Sequence, residues 1–124
     1  MRADRLVEGR KAAERAGRAA EDRAAWLLRI KGYRIVARRW RCPKGEIDLV
    51  AQRGRLTVFV EVKARARRED ARAAVGVRDW QRIARAAEAY QARHLRSITR
   101  AVRFDLVTVA GGWPRHHPDA WRGG

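Results

Sequence analysis

The sequence predicts an α/β protein, a single-domain α/β/α sandwich built around a mixed central sheet. Three observations lead there. Two stretches carry apolar residues at spacings of three and four, the helical period. Others alternate or run continuously apolar over strand lengths, between turn signals. Their order, α-β-β-β-α-β, lets helices and a sheet close around one hydrophobic core.

Residues 1–9 read as a flexible basic arm. From Arg10 to Lys31 the pattern is helical: Ala13, Ala16, Ala20, Ala24, Leu27 and Leu28 form a mostly alanine stripe, suited to close packing on a sheet, and Gly32 supplies the stop. Tyr33 to Arg41 alternates, with Tyr33, Ile35 and Ala37 on one side and Arg34, Val36 and Arg38 on the other. Cys42-Pro43-Lys44-Gly45 is a turn. A second strand covers Glu46 to Gln52 and a third covers Leu56 to Ala64; apolar on both faces from Leu56 to Val60, the third should be central. Ala66 to Val77 is charged and alanine-rich, a loop or frayed turn. A second helix spans Arg78 to Leu95, with Trp80, Ile83, Ala87 and Tyr90 on one face. Ala101 to Val109 is a fourth strand. The tail, 111–124, reads as a loop with a short edge element near Asp119 to Trp121. The organisation is therefore an arm (1–9), one domain (10–110) and a tail (111–124).

A chain of 124 residues can bury a core without disulfides or structural metal. Its net charge of +16 favours a polyanionic partner, although a high-GC genome, which encodes arginine freely, accounts for part of it. Met1 to Ala20 has no apolar stretch of a secretory signal, and no run reaches the roughly 20 apolar residues of a membrane helix. Cys42 is the only cysteine, which excludes an internal disulfide or a thiolate zinc site. A reduced, cytoplasmic protein with no membrane partner is the simplest expectation.

The charge map singles out one hairpin. Between Arg23 and Arg68 there are fourteen basic residues and only three acids, Glu46, Asp48 and Glu61, all on the second and third strands. If Arg53-Gly54 forms a two-residue turn, Gln52 faces Arg55, Glu46 faces Glu61, and Asp48 faces Phe59. Alternation then puts Glu46, Asp48, Glu61 and Lys63 on the same face. Like charges opposed in a sheet are destabilising, so a lysine, arginines or a metal should compensate. Carboxylates on adjacent strands can hold Mg²⁺ or Mn²⁺, which keeps several waters and leaves room for a phosphate. Lys63 is one of only four lysines beside 26 arginines, and a lysine there can act on a phosphate or a water.

Gly45-Glu46-Ile47-Asp48-Leu49-Val50 and Val58-Phe59-Val60-Glu61-Val62-Lys63 resemble the YraN-like family of small bacterial proteins. Gly17-Arg18-Ala19-Ala20-Glu21, Gly32-Tyr33-Arg34-Ile35 and Arg103-Phe104-Asp105 extend the resemblance over residues 9–110. It implies a restriction-endonuclease-like fold, similar to that of archaeal Holliday junction resolvases, and a PD-(D/E)xK-type site. There Asp48 and Glu61 would ligate the metal, Lys63 would assist the water, and Glu21 would reach in from the first helix. Glu21 also lies on the helix face of Gly17, Ala24 and Leu28, beside the buried stripe. Glu46 and Gln81 are candidate supporting residues. Ile47 stands where the motif's name suggests proline, Arg39 where relatives often carry asparagine, and Gln81 where a lysine is common.

The expected function is that of a metal-dependent nuclease acting on DNA, branched DNA included. The alternatives are a nucleic-acid-binding module of the same fold with little or no catalysis, and a protein-interaction adaptor. Arg34, Arg38, Arg41, Lys44, Arg65, Arg67 and Arg68 flank the hairpin and are the candidate nucleic-acid contacts. DNA versus RNA and the oligomeric state, a homodimer among the options, stay open. Adjacent His116 and His117 face opposite ways on a strand, which argues against a shared metal. Trp113 and Trp121 could stack on bases, but packing of the tail is the stronger expectation, as it is for Trp26, Trp40 and Trp80. Asp105 should pair with an arginine.

Overall fold

A computed structural model describes residues 2–65, 74–94 and 101–123. Helix α1 (Arg2–Ile30) is followed by strands β1 (Arg34–Cys42), β2 (Gly45–Arg53) and β3 (Leu56–Arg65), helix α2 (Val77–His94), and strands β4 (Ala101–Ala110) and β5 (Trp113–Trp121). The strands form one mixed sheet in sequence order, with β3 and β4 parallel and every other neighbouring pair antiparallel. Among the described residues no helix is long and apolar enough to cross a membrane.

The helices cover opposite faces. Ala20, Ala24, Ala25 and Leu28 of α1 pack on Leu49, Ala51, Val58, Val60, Val62, Val107 and Val109. Ala86, Ala87 and Tyr90 of α2 pack on Ile47, Val50 and Phe59, and Trp80 and Ile83 pack near Leu106. Alanines on α1 let the helix backbone come close to the sheet, so polar groups at its middle can reach the strands below. Strand β3 is the central strand: Thr57, Val58, Phe59 and Val60 are all buried.

The structure departs from the sequence expectation in four places. Residues 2–9 continue α1 instead of forming a loose arm. Leu6 and Val7 are exposed there, so no buried face marks this stretch as helix in the sequence. The tail is a full edge strand, β5, not a loop. Pro114 and Pro118 disguise it, but proline is tolerated on an edge, where one side of the ladder is unpaired. In β1 the register shifts between Ile35 and Ala37. This bulge puts Ile35 against the α1-side core and Ala37 against the α2-side core, which breaks the simple alternation. Finally, Arg53 pairs with Leu56 and Gly54-Arg55 is the turn. Gly54, with φ 59°, takes the first turn position, where a II′ hairpin needs glycine. The strands are thus two residues further along than expected, an even shift that keeps each side chain's face.

Candidate active site

The β2–β3 pairing ends at Leu49↔Val60, and beyond it β3 keeps its pairing with β4, which runs from Leu56 to Arg65. One step beyond that last rung lie Asp48 and Glu61, so Asp48 stands across from Glu61 and not from Phe59. Asp48 fills the gap in the ladder with its side chain: Oδ2 accepts the Val62 backbone N–H at 2.8 Å. This bond holds the carboxylate in the seam between the strands.

A local slip aims it there. Leu49 packs on the α1 side, yet Ile47 packs on the α2 side, although the two are two residues apart. Strand β1 does the same at the same rung. Ala37 and Trp40 both face α2, and between them Arg39 has φ 50°, a left-handed conformation unusual for arginine. Arg39 falls between the pairs Arg38↔Leu49 and Trp40↔Ile47, opposite Asp48. Both strands therefore twist at one point, and the two side chains there leave the normal in–out pattern.

Around this point the charged groups gather. The Glu61 side chain is 14 % exposed, and its Oε1 lies 3.6 Å from Lys63 Nζ. Burial, the Asp48 charge and a hydrogen bond with Asp48 push the Glu61 carboxyl up to about 9, against the pull of Lys63. Glu61 thus keeps its proton near neutrality. From α1, buried Glu21 accepts from Arg39 Nε at 2.7 Å. Burial raises the Glu21 carboxyl; Arg39 works against this and Asp48 adds to it.

The structure thus brings together Asp48, Glu61 and Lys63, with Glu21 joined to them through Arg39. Glu46 is turned outward to Arg41, whose Nε lies 3.3 Å from Glu46 Oε2. Gln81 is exposed on α2 and makes no side-chain hydrogen bond among the described residues. Arg38 is ion-paired with Asp22 at 2.6 Å, and Lys44 is exposed in the β1–β2 turn. Arg34 is hydrogen-bonded to Gln52 at the far end of β2, away from Asp48. Arg67, Arg68 and the side chain of Arg65 lie outside the described residues. Arg39 is the participant that sequence reasoning missed; a left-handed arginine at a strand slip leaves no periodic signal.

The buried acid of β4 is of a different kind. Asp105 is 0 % exposed. It accepts from Arg103 Nε and Nη2 at 2.7 Å, from His116 Nε2 at 2.6 Å and from the Asp119 backbone N–H at 2.9 Å. Burial alone would raise its carboxyl, but these donors outweigh it and hold it at about 2. The His116 ring also meets Lys31 at Nδ1, while His117 turns to Thr108. The two histidines have separate structural partners. Trp121 stacks on Trp80, but Trp26 and Trp113 are exposed, so packing does not account for those two.

A family model described as "Uncharacterised protein family UPF0102" matches residues 20–109. Similar curated proteins, each called "UPF0102 protein", include one from Rhodopseudomonas palustris strain BisB18, 54% identical over 113 residues, covering 90% of this chain and 84% of the relative. One from Parvibaculum lavamentivorans is 48% identical over 112 residues, covering 90% and 84%. One from Paramagnetospirillum magneticum is 49% identical over 117 residues, covering 90% of each chain.

Proposed function

We propose that this chain, which belongs to the UPF0102 (YraN-like) family, is a metal-dependent nuclease of the PD-(D/E)xK type that hydrolyses phosphodiester bonds in DNA, branched DNA included. The observation that carries the reading is the acid pair at the parted seam, with Lys63 beside it. A carboxyl raised to about 9 first by burial and then by the neighbouring Asp48 is costly to ionise, and a cation in place of its proton would relieve that cost. The order of the elements and the parallel β3–β4 pair support the restriction-endonuclease-like fold that the family resemblance implies.

The donor set fits a hard cation. Asp48 and Glu61 offer carboxylate oxygens, with no histidine or cysteine among them, as Mg²⁺ or Mn²⁺ prefers. No three His, Cys, Asp or Glu groups converge to hold a metal among the described residues. That suits Mg²⁺, which takes one or two carboxylates and keeps its waters. Bound there, the ion would supply charge stabilisation at the phosphoryl oxygens and a more acidic water. The Val62 N–H orients Asp48. Lys63 offers a positive charge 3.6 Å from Glu61, placed to neutralise a phosphate oxygen or steady a water. Arg39 holds Glu21 at the edge of the site and offsets its negative charge.

The net charge of +16 supports a second reading, a binding module with little catalysis. Incubation with linear, flapped and four-way DNA, with and without Mg²⁺ or Mn²⁺, separates the two. Under the nuclease reading wild type cuts, and Asp48→Asn and Lys63→Ala do not. Asp48→Asn should bind DNA in chelator as well as wild type or better, since a negative charge facing the phosphates is gone. Equal cutting by folded, rigorously purified Asp48→Asn would transfer the activity to a contaminant or another site.

A further inference from the structure

A second feature lies between α1 and the β4–β5 turn, and the acid pair does not use it. Trp26 is 53% exposed and Trp113 is 67% exposed. Among the described residues these are the only aromatic side chains in the set of exposed large hydrophobics. Both line one open hollow of about 240 Å³, with Arg23, Gly111, Gly112 and Pro114. That is below the roughly 300 Å³ at which pockets for whole small molecules begin, so it suits one flat group.

Its construction keeps it open. Gly111 and Gly112 have φ 57° and 80° and form the β4–β5 turn, so no side chain covers the floor. The Arg23 guanidinium lies against Gly112, 4.0 Å from where a Cβ would stand. Arg23 has no acidic partner among the described residues, whereas Arg38, Arg39, Arg41, Arg82, Arg103 and Arg122 each have one. On α1, Arg23, Trp26 and Arg29 follow at three-residue steps and so share a strip of the helix surface. A flat aromatic surface next to an unneutralised cation, on a chain of net charge +16, complements a group that is both planar and anionic.

The flat, open shape of the hollow identifies which one. A paired base shows the grooves only its edge, while an unpaired base offers its whole face.

We propose that Trp26, Trp113 and Arg23 form a stacking site for an unpaired base, which makes nucleic acid with a single-stranded segment the preferred ligand. This rests on the nucleic-acid reading above but not on cleavage. The test is therefore made in chelator, on the full chain carrying Asp48→Asn, by fluorescence anisotropy. The probes are a 15-mer of thymidine and a blunt 15-base-pair duplex. Trp26→Ala and Trp113→Ala should each weaken the single strand by roughly 5- to 150-fold, the equivalent of about 1–3 kcal/mol per stacked base. Duplex binding should change less than about twofold, and tryptophan→phenylalanine at either position should restore most of the loss. Tryptophan quenching by the single strand should fall in the double alanine variant. Equal losses on both probes, or none, would overturn the stacking site. So would a wild-type dimer, seen by sedimentation, that the double variant dissociates without a strand-selective loss; the hollow would then be a contact between copies. Failure of cleavage with selective strand binding intact would sink the nuclease alone.

Discussion

Replacing Glu61 with glutamine tests the acid pair without any assumption about substrate. The Glu61 side chain is 14% exposed, and its carboxyl is pushed up to about 9 from an ordinary 4.5, first by burial and then by Asp48. Between those two values the folded chain keeps a proton that the unfolded chain has lost. Stability from this group is therefore fully present below 4.5 and declines as pH rises toward 9. One proton limits the slope to about 1.4 kcal/mol per pH unit. From pH 6 to pH 8 the ceiling is about 2.7 kcal/mol, or roughly 8–14 °C in Tm for a domain of this size. Glutamine keeps the shape and has no proton to lose. Thermal unfolding in chelator at pH 6, 7 and 8 should show wild type losing Tm relative to Glu61→Gln as pH rises. Mg²⁺ or Mn²⁺ should raise the wild-type Tm more at pH 8 than at pH 6 if an ion binds here, because it would have to displace the Glu61 proton. Parallel Tm curves for the two proteins across that range would refute the reasoning, since Glu61 would then lose no proton on unfolding.

Asp105→Asn should destabilise the fold by about 3–5 kcal/mol in denaturant unfolding, because it breaks a buried ion pair and leaves Arg103 without its charged partner. The Asp105 carboxyl is lowered from 3.8 to about 2, so its contribution is present above pH 3.8 and is lost as pH falls through 2. Glu21→Gln should reduce cleavage by roughly 10- to 100-fold rather than abolish it, as expected when Glu21 acts through Arg39; loss as complete as in Asp48→Asn would place Glu21 on an ion. Duplex binding in chelator should weaken with salt, each neutralised phosphate adding roughly 0.9 to the log–log slope. Affinity that ignores a several-fold salt change would point to the protein-interaction adaptor.

The parts of the fold that bury a periodic face are legible in the sequence. Trp80, Ile83, Ala87 and Tyr90 mark α2 and are buried, and unbroken apolarity marks β3 as central. The segments that were misread lack such a face. The first turns of α1 expose Leu6 and Val7, and β5 carries two prolines on an edge. Within the candidate site, the nearness of Asp48, Glu61 and Lys63 follows from two-residue parity, which survives the even shift in the turn. The slip at Asp48 and Arg39 does not follow, because alternation assumes that each residue advances the pleat equally. A left-handed arginine and a bulged β1 break that assumption, and nothing local in the sequence announces them.

Two acids in this sheet lie in β3 and β4, at Glu61 and Asp105, and the contrast between them bears on function. Asp105 sits in full burial with Arg103, His116 and the Asp119 N–H around it, and its partners bring its carboxyl down to about 2. It is a satisfied charge, and its work is to tie β4, β5 and the α1–β1 connection together through Arg103, His116 and Tyr33. Glu61 is also hydrogen-bonded, and no buried side-chain polar atom among the described residues lacks a partner. Yet its partner is another acid, and its carboxyl goes up to about 9. The cost is concentrated at one place: like charges meet, the β2–β3 ladder stops, and Arg39 opposite adopts an unfavourable φ. An apolar pair there would let the ladder continue. Perturbed carboxyls also occur in purely structural networks, and Asp105, held low by its donors, is one of them. The acid pair has Lys63 at 36% side-chain exposure and 3.6 Å from Glu61, the Val62 N–H on Asp48 and the Arg39 charge facing Asp48, yet the Glu61 carboxyl stays raised. Under the nuclease reading proposed above, a cation from outside the chain would complete the pair, and the Glu61→Gln and Asp48→Asn comparisons decide between that reading and the binding module.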